Sequence, residues 1–373
     1  MRRIHVLFLM EDLCYGGTQR QTLQLAARLD RGAFRTSMLT LTGPTDLDAE
    51  AEAAGIELFR MGSSRRVDPL FFARLPGWLA RLAPDVIVPC TALPNIWGRL
   101  WGGCLRRLAG RPAVVGTVRG GGAPRRQHER FLWRLCDHVV CNTEALRDIM
   151  AGFGCPPSRL SYIPNGVDTE RFAPADPAPS ARQPRIVCVA RICEDKNQAL
   201  LVDAFELVRQ EHPGSILRFV GDGPWEARLK ERCSRSPASA AIEMFPGTGD
   251  VRPHYASAAV FCLPSDREGQ PNVLLEAMAS GLPLCATAVG GVPKLVGGPA
   301  HGLLSPAGDA RALAASLSRL LAHPAEADAM GRANRTRAVE EYGFGPMVQA
   351  HEAIFRRLAE QGSSARHSSA TRR

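Results

Sequence analysis

The chain is poor in lysine, in long apolar runs and in paired cysteines, and each shortage excludes a class of protein. Lys196, Lys230 and Lys294 are its three lysines, although it has 46 basic residues in all. No apolar run approaches the roughly 20 residues that a bilayer-spanning helix needs, so an integral membrane protein is not expected. The eleven cysteines include no C-x-x-C pair and no metal-like spacing, which favours reduced core thiols in a cytosolic enzyme over a disulfide or zinc framework.

Residues 4–10 predict a first buried strand and not a secretory segment. The start of the chain is basic, as in a signal peptide, but this apolar run is short, is broken by His5 and is followed by Glu11 and Asp12.

The formal net charge is +9, almost all of it from arginine. Such a surplus can serve nucleic acid, an anionic membrane face or a polyanionic substrate. Nothing in the sequence resembles a nucleic-acid-binding module, so we expect phosphate or membrane partners and no nucleic acid. With 373 residues, 45% of them apolar, the chain is long enough for two ordinary globular domains.

Strand-like and helix-like segments alternate along the first half, which is typical of a parallel sheet covered by helices. Between the first strand and the first helix lie Gly16 and Gly17, where backbone can approach a ligand closely and the helix start directs N–H groups outward. The predicted strands span residues 4–10, 35–41, 86–88, 114–118 and 138–141, and the predicted helices include residues 18–29, 70–82 and 95–108.

The most informative stretch spans residues 261–281. It predicts the end of a buried strand, a polar loop over residues 265–270, and a helix with Pro271 at its first position and Gly281 as its C-terminal stop. A helix start at the carboxyl end of a parallel strand favours a phosphate. Glu268 in the loop and Glu276 in the helix suit hydroxyl groups, so a phosphorylated, hydroxyl-rich ligand fits both features.

The string from Pro264 to Gly281, which includes Glu268, Asn272, Val273, Leu274 and Glu276, resembles the E-x7-E signature of the retaining glycosyltransferases of family 4. The resemblance implies an α/β GT-B fold, in which two Rossmann-like parallel-sheet domains face each other across a cleft. It also implies a nucleotide-diphosphate sugar, UDP- or GDP-linked, as the donor substrate, with no cofactor and no metal. The helix start would then bind the donor.

Four further residues gain roles from the same resemblance. Arg191 and Lys196 match a Gly-Arg…Lys-Asn segment, although Ala190 replaces its usual glycine, and they would neutralise the donor diphosphate. Gly16 and Gly17 match a loop whose backbone lies near the donor phosphates.

The resemblance also assigns the two glutamates. Glu276 would bind the ribose hydroxyls and Glu268 the sugar hydroxyls. The catalytic candidates are therefore Glu268, Arg191, Lys196 and Arg119.

Arg119 is where the chain departs from the family pattern, because a histidine that touches the donor sugar commonly stands there. Arginine cannot act as a general base at neutral pH, but it can bind a pyrophosphate or a carboxylate with two hydrogen bonds. A catalytic role for Arg119 and a place in a solvated basic helix start both remain open.

The resemblance suggests the domains, and composition suggests the linker, which has four prolines in twelve residues, and the tail, which is rich in serine and arginine. Residues 1–172 would form an acceptor domain, residues 173–184 a proline-rich linker and residues 185–345 the donor domain. Residues 346–360 would form a helix that returns to the first domain, and residues 361–373 a disordered tail.

Three alternatives stay open. Asp46 and Asp48 form a D-x-D pair that could hold a metal, although acidic residues at a helix start explain it as well. The same fold could carry a sugar-nucleotide epimerase, which needs no acceptor. The chain could also be a non-catalytic protein that binds sugar nucleotides.

Basic and apolar side chains occur together at two places in the first domain, in residues 119–134 and around Arg65, Arg66, Phe71, Phe72 and Trp78. Such pairing is how a peripheral protein holds an anionic leaflet, though core packing explains the aromatic residues equally well. We expect a cytoplasmic enzyme, peripheral on the inner face of the cell membrane, with a glycan or lipid-linked acceptor. Arg125 or Arg126 would hold a lipid pyrophosphate.

Overall fold

A computed structural model describes residues 2–43, 45–62, 69–120 and 128–370, although the side chains of residues 69–71 and 363–370 are not described. The proposed phosphate contacts Arg125 and Arg126 lie outside the described residues, as do Arg65 and Arg66. The chain forms two units. Residues 2–119, 128–165 and 344–370 build the first, and Gly120 with residues 166–343 builds the second.

Each unit is organised around one parallel β-sheet. The strands of the first sheet are β1 (Ile4–Met10), β2 (Phe34–Thr40), β3 (Glu57–Arg60), β4 (Val86–Pro89), β5 (Ala113–Val118), β6 (His138–Cys141) and β7 (Leu160–Tyr162). The strands of the second sheet are β8 (Arg185–Val189), β9 (Ile216–Val220), β10 (Ile242–Phe245), β11 (Val260–Leu263), β12 (Leu284–Thr287) and β13 (Leu303–Ser305).

Helices alternate with these strands along the chain. Those of the first unit are α1 (Gly17–Arg28), α2 (Asp48–Ala53), α3 (Pro69–Leu82), α4 (Ala92–Ala109), α5 (Glu129–Leu132), α6 (Glu144–Gly152) and, at the end of the chain, α14 (Phe344–Ala370). Those of the second unit are α7 (Gln198–Glu211), α8 (Glu226–Ser234), α9 (Arg252–Ala256), α10 (Asn272–Ala279), α11 (Val292–Val296), α12 (Ala310–Ala322) and α13 (Pro324–Tyr342).

The strand orders confirm the predicted α/β class with two parallel sheets. They are β3-β2-β1-β4-β5-β6-β7 and β10-β9-β8-β11-β12-β13. In each, the chain runs outward from a central strand and then restarts on that strand's other side, so the order reverses between β1 and β4 and between β8 and β11. The central strands β4, β5, β11 and β12 are buried along their whole length, as expected for strands covered by helices on both faces.

The sequence located all five strands that it predicted in the first unit, within one or two residues of their ends. It missed β3 and β7. Both are short and only partly buried, so neither forms the continuous apolar run by which a central strand is recognised.

Two predicted boundaries differ from the structure. The stretch from Gly166 to Phe172 belongs to the second unit, not the first. Val167 donates its N–H to the carbonyl of Tyr342, and Arg335 donates to the carbonyls of Thr169 and Phe172. The predicted linker also packs on the second unit, because Arg182 donates to backbone carbonyls there.

The last helix is longer than predicted. We expected a helix over residues 346–360 and a disordered tail, but α14 runs from Phe344 to Ala370 and belongs to the first unit. Residues 361–373 contain many serines and arginines but no proline, which is the residue that ends a helix most strongly. Their one glycine, Gly362, costs a helix only about 1 kcal/mol relative to alanine. Composition therefore did not require the helix to end at residue 360. No helix in the described part of the chain is both long enough and apolar enough to cross a bilayer.

The first unit contains a buried ion pair that the sequence did not reveal. Arg99 on α4 and Glu129 at the start of α5 are 0% and 1% exposed, and Nη1 of Arg99 lies 2.5 Å from Oε2 of Glu129. Arg99 also donates to Asn95 and to the carbonyl of Thr117, each at 3.0 Å. The guanidinium therefore ties α4, the end of β5 and the start of α5 together.

Three histidines of the first unit are buried as neutral rings. Burial is the main cause that lowers the pKa of His138 and of His351 to about 4, and it also lowers the pKa of His5. Arg357 has only donors and lies 3.0 Å from Nδ1 of His138. That nitrogen must accept, so Nε2 donates to Ser161 at 2.8 Å. Protonation would disrupt this arrangement.

We predict that the first unit loses stability as the pH falls from about 6.5 to about 4. In the unfolded chain these histidines bind protons near pH 6.5, whereas the folded pKa values of His138 and His351 are near 4. Over that interval the unfolded state binds more protons, which costs stability about 1.4 kcal/mol per pH unit for each histidine. Urea unfolding at pH 7 and pH 5, followed by tryptophan fluorescence, measures the loss.

The matched variant is His351→Leu, which keeps an apolar side chain at the buried site. It should show a smaller loss of stability between pH 7 and pH 5 than the unmodified chain. An equal loss in both proteins would contradict the assignment of His351 as a neutral ring.

Candidate active site

The carboxyl edge of the second sheet brings together the two loops that carry the charged donor candidates Arg191, Lys196 and Glu268. β8 leads into the loop with Arg191 and Lys196, and the neighbouring strand β11 leads into the loop with Glu268. The order of strands reverses between β8 and β11. Open parallel sheets bind their ligands outside such a reversal point.

Lys196 and Glu268 form an ion pair between these two loops. Nζ of Lys196 lies 2.5 Å from Oε1 of Glu268, and the hydroxyl of Ser265 donates to the same oxygen at 2.7 Å. The side chains of Glu268 and Lys196 are only 6% and 23% exposed. Because little water reaches the carboxylate, these two donors replace part of the hydration that burial removes.

A second set of contacts joins the same two loops. Asn197 has left-handed backbone (φ 39°, ψ 49°), which asparagine tolerates, and its amide donates to both carboxylate oxygens of Asp266 at 3.0 Å. The N–H of Asp266 donates to the carbonyl of Asp195, whose carboxylate pairs with Arg267 at 2.8 Å. Lys196 and Glu268 are therefore positioned by backbone as well as by their own charges.

Two glycines allow the backbone beside the site to pack closely. Gly221 follows β9 with φ 150°, and a Cβ there would lie 2.0 Å from the carbonyl oxygen of Ala190. Gly290 follows β12 with φ 53°, and a Cβ there would lie 1.8 Å from the carbonyl oxygen of Glu268. Any larger residue would push away the segments that carry Arg191 and Glu268.

Arg191 differs from Lys196 in its surroundings. Its carbonyl accepts a hydrogen bond from the buried side chain of Gln198 at 3.0 Å, while the residue itself is exposed. Among the described residues its guanidinium takes part in no ion pair. The loop after β8 thus combines a half-buried, paired ammonium group with an exposed guanidinium group.

Helix α10 has well-defined ends. Pro271 was predicted at its first position, but it has extended backbone (φ −74°, ψ 117°) and caps the helix, which begins at Asn272. At the other end Gly281 has φ 69°, its N–H donates to Met278, and the N–H of Leu282 donates to Ala277. This Schellman motif is the C-terminal stop expected from the glycine.

The four predicted donor residues on α10 lie in different environments. Leu274 is fully buried in the core and its N–H donates to the carbonyl of Pro271 at 3.2 Å. Asn272 and Val273 are half-buried in the first turn. Glu276 is half-buried one turn further along and accepts a hydrogen bond from the hydroxyl of Tyr255 at 2.9 Å.

The remaining predicted residues belong to the first unit. Gly16 caps α1 and Gly17 is its first residue, after β1. Arg119 directly follows β5 and donates to the side-chain oxygen of Asn165 at 3.0 Å. Burial lowers the pKa of the Arg119 guanidinium, but arginine stays charged at neutral pH, so this residue is a cation and not a base.

The D-x-D pair forms structural contacts. Asp48 begins α2 and its carboxylate lies 2.6 Å from Arg60, while the carboxylate of Asp46 accepts the N–H of Tyr15 at 2.9 Å. Within the described ranges, no group of three or more His, Cys, Asp or Glu side chains is placed to hold a metal ion.

Comparison with known families agrees with this geometry. A model described as Glycosyltransferase Family 4 matches residues 15–171, and one described as Glycosyl transferases group 1 matches residues 183–323. The two together include most of the chain. The chain belongs to the group 1, or family 4, glycosyltransferases.

Individual proteins give the same result. The GDP-mannose-dependent alpha-(1-6)-phosphatidylinositol monomannoside mannosyltransferase of Mycolicibacterium smegmatis is 33% identical over 210 residues, 52% of this chain and 54% of that protein. The D-inositol 3-phosphate glycosyltransferase of Kineococcus radiotolerans is 32% identical over 267 residues, 64% of this chain and 61% of that protein. The chain spans about half the length of the curated relatives that it matches first.

A solved structure extends the similarity to the fold. The crystal structure of Anabaena Alr3699/HepE in complex with UDP has a TM-score of 0.80 to this chain at 17% identity, over 94% of this chain and 99% of that one. The two parallel sheets of this chain are therefore those of the GT-B fold.

Sequence reasoning missed two residues that contact the predicted glutamates. Ser265 was assigned only to a polar loop, although its position three residues before Glu268 could have suggested a local hydrogen bond. Tyr255 stands 21 residues before Glu276, and no local spacing connects them.

We predict that Lys196→Met destabilises the second unit by about 1–3 kcal/mol, because it leaves the buried carboxylate of Glu268 without its cation. Adding Glu268→Gln should recover part of the loss, since the charge that needs compensation is then gone. Urea unfolding of both variants measures these changes.

Lys230→Met is the matched control. Lys230 pairs with Glu226 one helical turn away on α8, with 60% and 39% of the two side chains exposed, and such pairs contribute only about 0.3–0.5 kcal/mol. Equal losses of unfolding free energy in Lys196→Met and Lys230→Met would show that the buried pair stabilises the protein no more than the exposed pair does.

Proposed function

We propose that this chain is a glycosyltransferase that moves a sugar from a nucleotide-diphosphate sugar to a hydroxyl group of an acceptor. The observation that carries the proposal is the ion pair of Lys196 with Glu268, beside the exposed Arg191, at the reversal point of the second sheet. A diphosphate needs cations and a sugar needs acceptors for its hydroxyl groups, and these three side chains supply both.

Arg191 and Lys196 act on the leaving group. When the bond between the sugar and the diphosphate breaks, the nucleoside diphosphate gains negative charge, and fixed cations nearby stabilise that charge most in the transition state. Lys196 is held in place by Glu268, so little reorganisation is needed as the charge develops. These cations and the start of α10 do the work for which other enzymes use a metal ion.

Glu268 and Glu276 bind opposite ends of the donor. Glu268 accepts hydrogen bonds from the sugar and Glu276 from the ribose. In its position Glu268 already accepts from Lys196 and Ser265, so it serves as a binding group and we propose no covalent intermediate on it. The family resemblance supports retention of the anomeric configuration. The UDP bound in the HepE structure supports a nucleotide-linked donor.

The acceptor is a hydroxyl group on a glycan or on a lipid-linked molecule. The two relatives are named for a phosphatidylinositol monomannoside and for D-inositol 3-phosphate, both of which carry phosphate. An arginine-rich chain of net charge +9 suits a negatively charged acceptor.

We predict that Arg191→Ala lowers turnover by about two to three orders of magnitude, which corresponds to losing roughly 2–4 kcal/mol of stabilisation of the leaving group. Its folding stability should stay close to that of the unmodified chain, because Arg191 is exposed. Nucleotide release from a panel of UDP- and GDP-sugars, measured with and without candidate acceptors, gives the turnover.

Arg235→Ala is the control, since this exposed arginine follows α8 and lies away from the carboxyl edge of the sheet. Unchanged turnover in Arg191→Ala would remove this residue from the site. Conversion of the sugar nucleotide without an acceptor would favour the epimerase alternative, and binding without any conversion would favour a non-catalytic protein.

A peripheral membrane location is the second part of the proposal. Phe131 on α5 is 66% exposed and has the exposed residues Arg130 and Arg134 on either side. Arg134 stacks on the ring of Trp133, with its Cζ 4.7 Å from the ring centroid. An exposed ring among arginines can enter an anionic leaflet without a spanning segment.

We predict that the protein sediments with vesicles that contain anionic phosphatidylglycerol at low salt and leaves them as salt rises, because the attraction is screened. Phe131→Ser should weaken the partitioning about tenfold, because it removes the exposed ring that would be buried in the leaflet. Phe245→Ser, which changes a ring that is 38% exposed in the second unit, should have little effect. No binding at low salt would rule out this location.

A further inference from the structure

Tyr255 is a buried side chain of the second unit whose hydroxyl contacts a predicted donor-binding glutamate. It lies on α9, directly before β11, and is 1% exposed. Its ring packs edge-on against Phe172, with centroids 6.0 Å apart, and against Phe261, with centroids 5.8 Å apart. Two aromatic neighbours in this geometry hold the ring in one orientation.

The hydroxyl group of Tyr255 points at the predicted ribose-binding residue. Its oxygen lies 2.9 Å from Oε2 of Glu276 and 3.5 Å from the carbonyl oxygen of Val273. Both neighbours are acceptors, so the hydroxyl must donate. Burial and the negative charge of Glu276 raise the pKa of Tyr255 well above its usual value of 10. The proton therefore stays on the tyrosine under all ordinary conditions.

We infer that Tyr255 is a positioning residue for Glu276, which fixes the carboxylate so that it recognises the ribose of the nucleotide. This inference rests on the proposed function. A glutamate side chain has three rotatable bonds, and a hydrogen bond from an immobile ring selects one orientation of its carboxylate. A carboxylate oxygen accepts more than one hydrogen bond, so the contact with Tyr255 leaves capacity for ribose hydroxyl groups.

A purely structural role for the hydroxyl group makes a different prediction. If Glu276 served only to satisfy a buried tyrosine, loss of the hydroxyl would change stability without changing which nucleotides bind. If Tyr255 positions Glu276, loss of the hydroxyl weakens binding only of ligands that have the ribose hydroxyl groups. The chemistry of the ligand therefore separates the two roles.

The test uses Tyr255→Phe, which keeps the ring and its packing and removes only the hydroxyl. The probes are UDP and GDP, their 2′,3′-dideoxy counterparts, which lack both ribose hydroxyl groups, and inorganic pyrophosphate, with dissociation constants from calorimetry. We expect the full-length protein to prefer the ribonucleotide that it binds over its dideoxy form. Tyr255→Phe should weaken ribonucleotide binding about fivefold to tenfold and leave the dideoxy form and pyrophosphate nearly unchanged.

Two further variants make the test specific. In a Glu276→Ala background, Tyr255→Phe should cause no further loss of ribonucleotide binding, because the group that it positions is absent. Tyr342→Phe removes another buried tyrosine hydroxyl of the second unit, one that lies 3.4 Å from Arg337. That variant should keep the full preference for the ribonucleotide.

Each other outcome has a definite meaning. A Tyr255→Phe protein that binds pyrophosphate normally and keeps the ribonucleotide preference overturns the inference and leaves the proposed function intact. An unmodified protein that binds ribo and dideoxy forms equally also overturns it. Failure of the unmodified protein to bind either UDP or GDP contradicts the proposed donor, and the inference with it.

Discussion

The site of the second unit depends on one buried ion pair, between Lys196 and Glu268. A carboxylate with so little exposure is costly to keep charged unless cations and hydroxyl donors surround it, and here a lysine and Ser265 do so. The pair spans from the loop after β8 to the loop after β11, which are the two loops at the reversal point of the sheet. Because each loop supplies one charge of the pair, neither loop can move far without leaving the charge on the other loop unpaired.

The backbone of these loops follows from the same constraint. The side-chain amide of Asn197, whose backbone is left-handed, donates to Asp266. Gly221 and Gly290 lie so close to carbonyl oxygens that any Cβ at either position would collide with them. A site built in this way has few adjustable parts before the ligand arrives. The proposed stabilisation of a leaving group would benefit from that rigidity, since dipoles and charges that are already in place need not be reoriented during a reaction.

The sequence predicted the elements that have a strong local signal and missed those that depend on distant contacts. The buried run of β1 and the helix from Asn272 to the Gly281 stop were predictable because periodicity and turn chemistry lie within a few residues of each other. The α/β class and the family also followed from local strings. The pair of Arg99 with Glu129 and the contact of Tyr255 with Glu276 were not predictable, because each joins residues more than twenty positions apart. The tail was mispredicted for a different reason, since a composition rich in serine and arginine does not exclude a helix that begins upstream.

The scarcity of lysine has a consequence for covalent modification. Of the two cations in the loop after β8, only the amine of Lys196 can be acylated, and acylation removes its charge. The guanidinium of Arg191 does not undergo that change. A single acyl group on Lys196 would therefore leave one cation at the edge of the sheet and strip Glu268 of its partner at the same time. In a chain whose positive charge is nearly all arginine, acylation can remove the charge of only three side chains, and one of the three belongs to this loop.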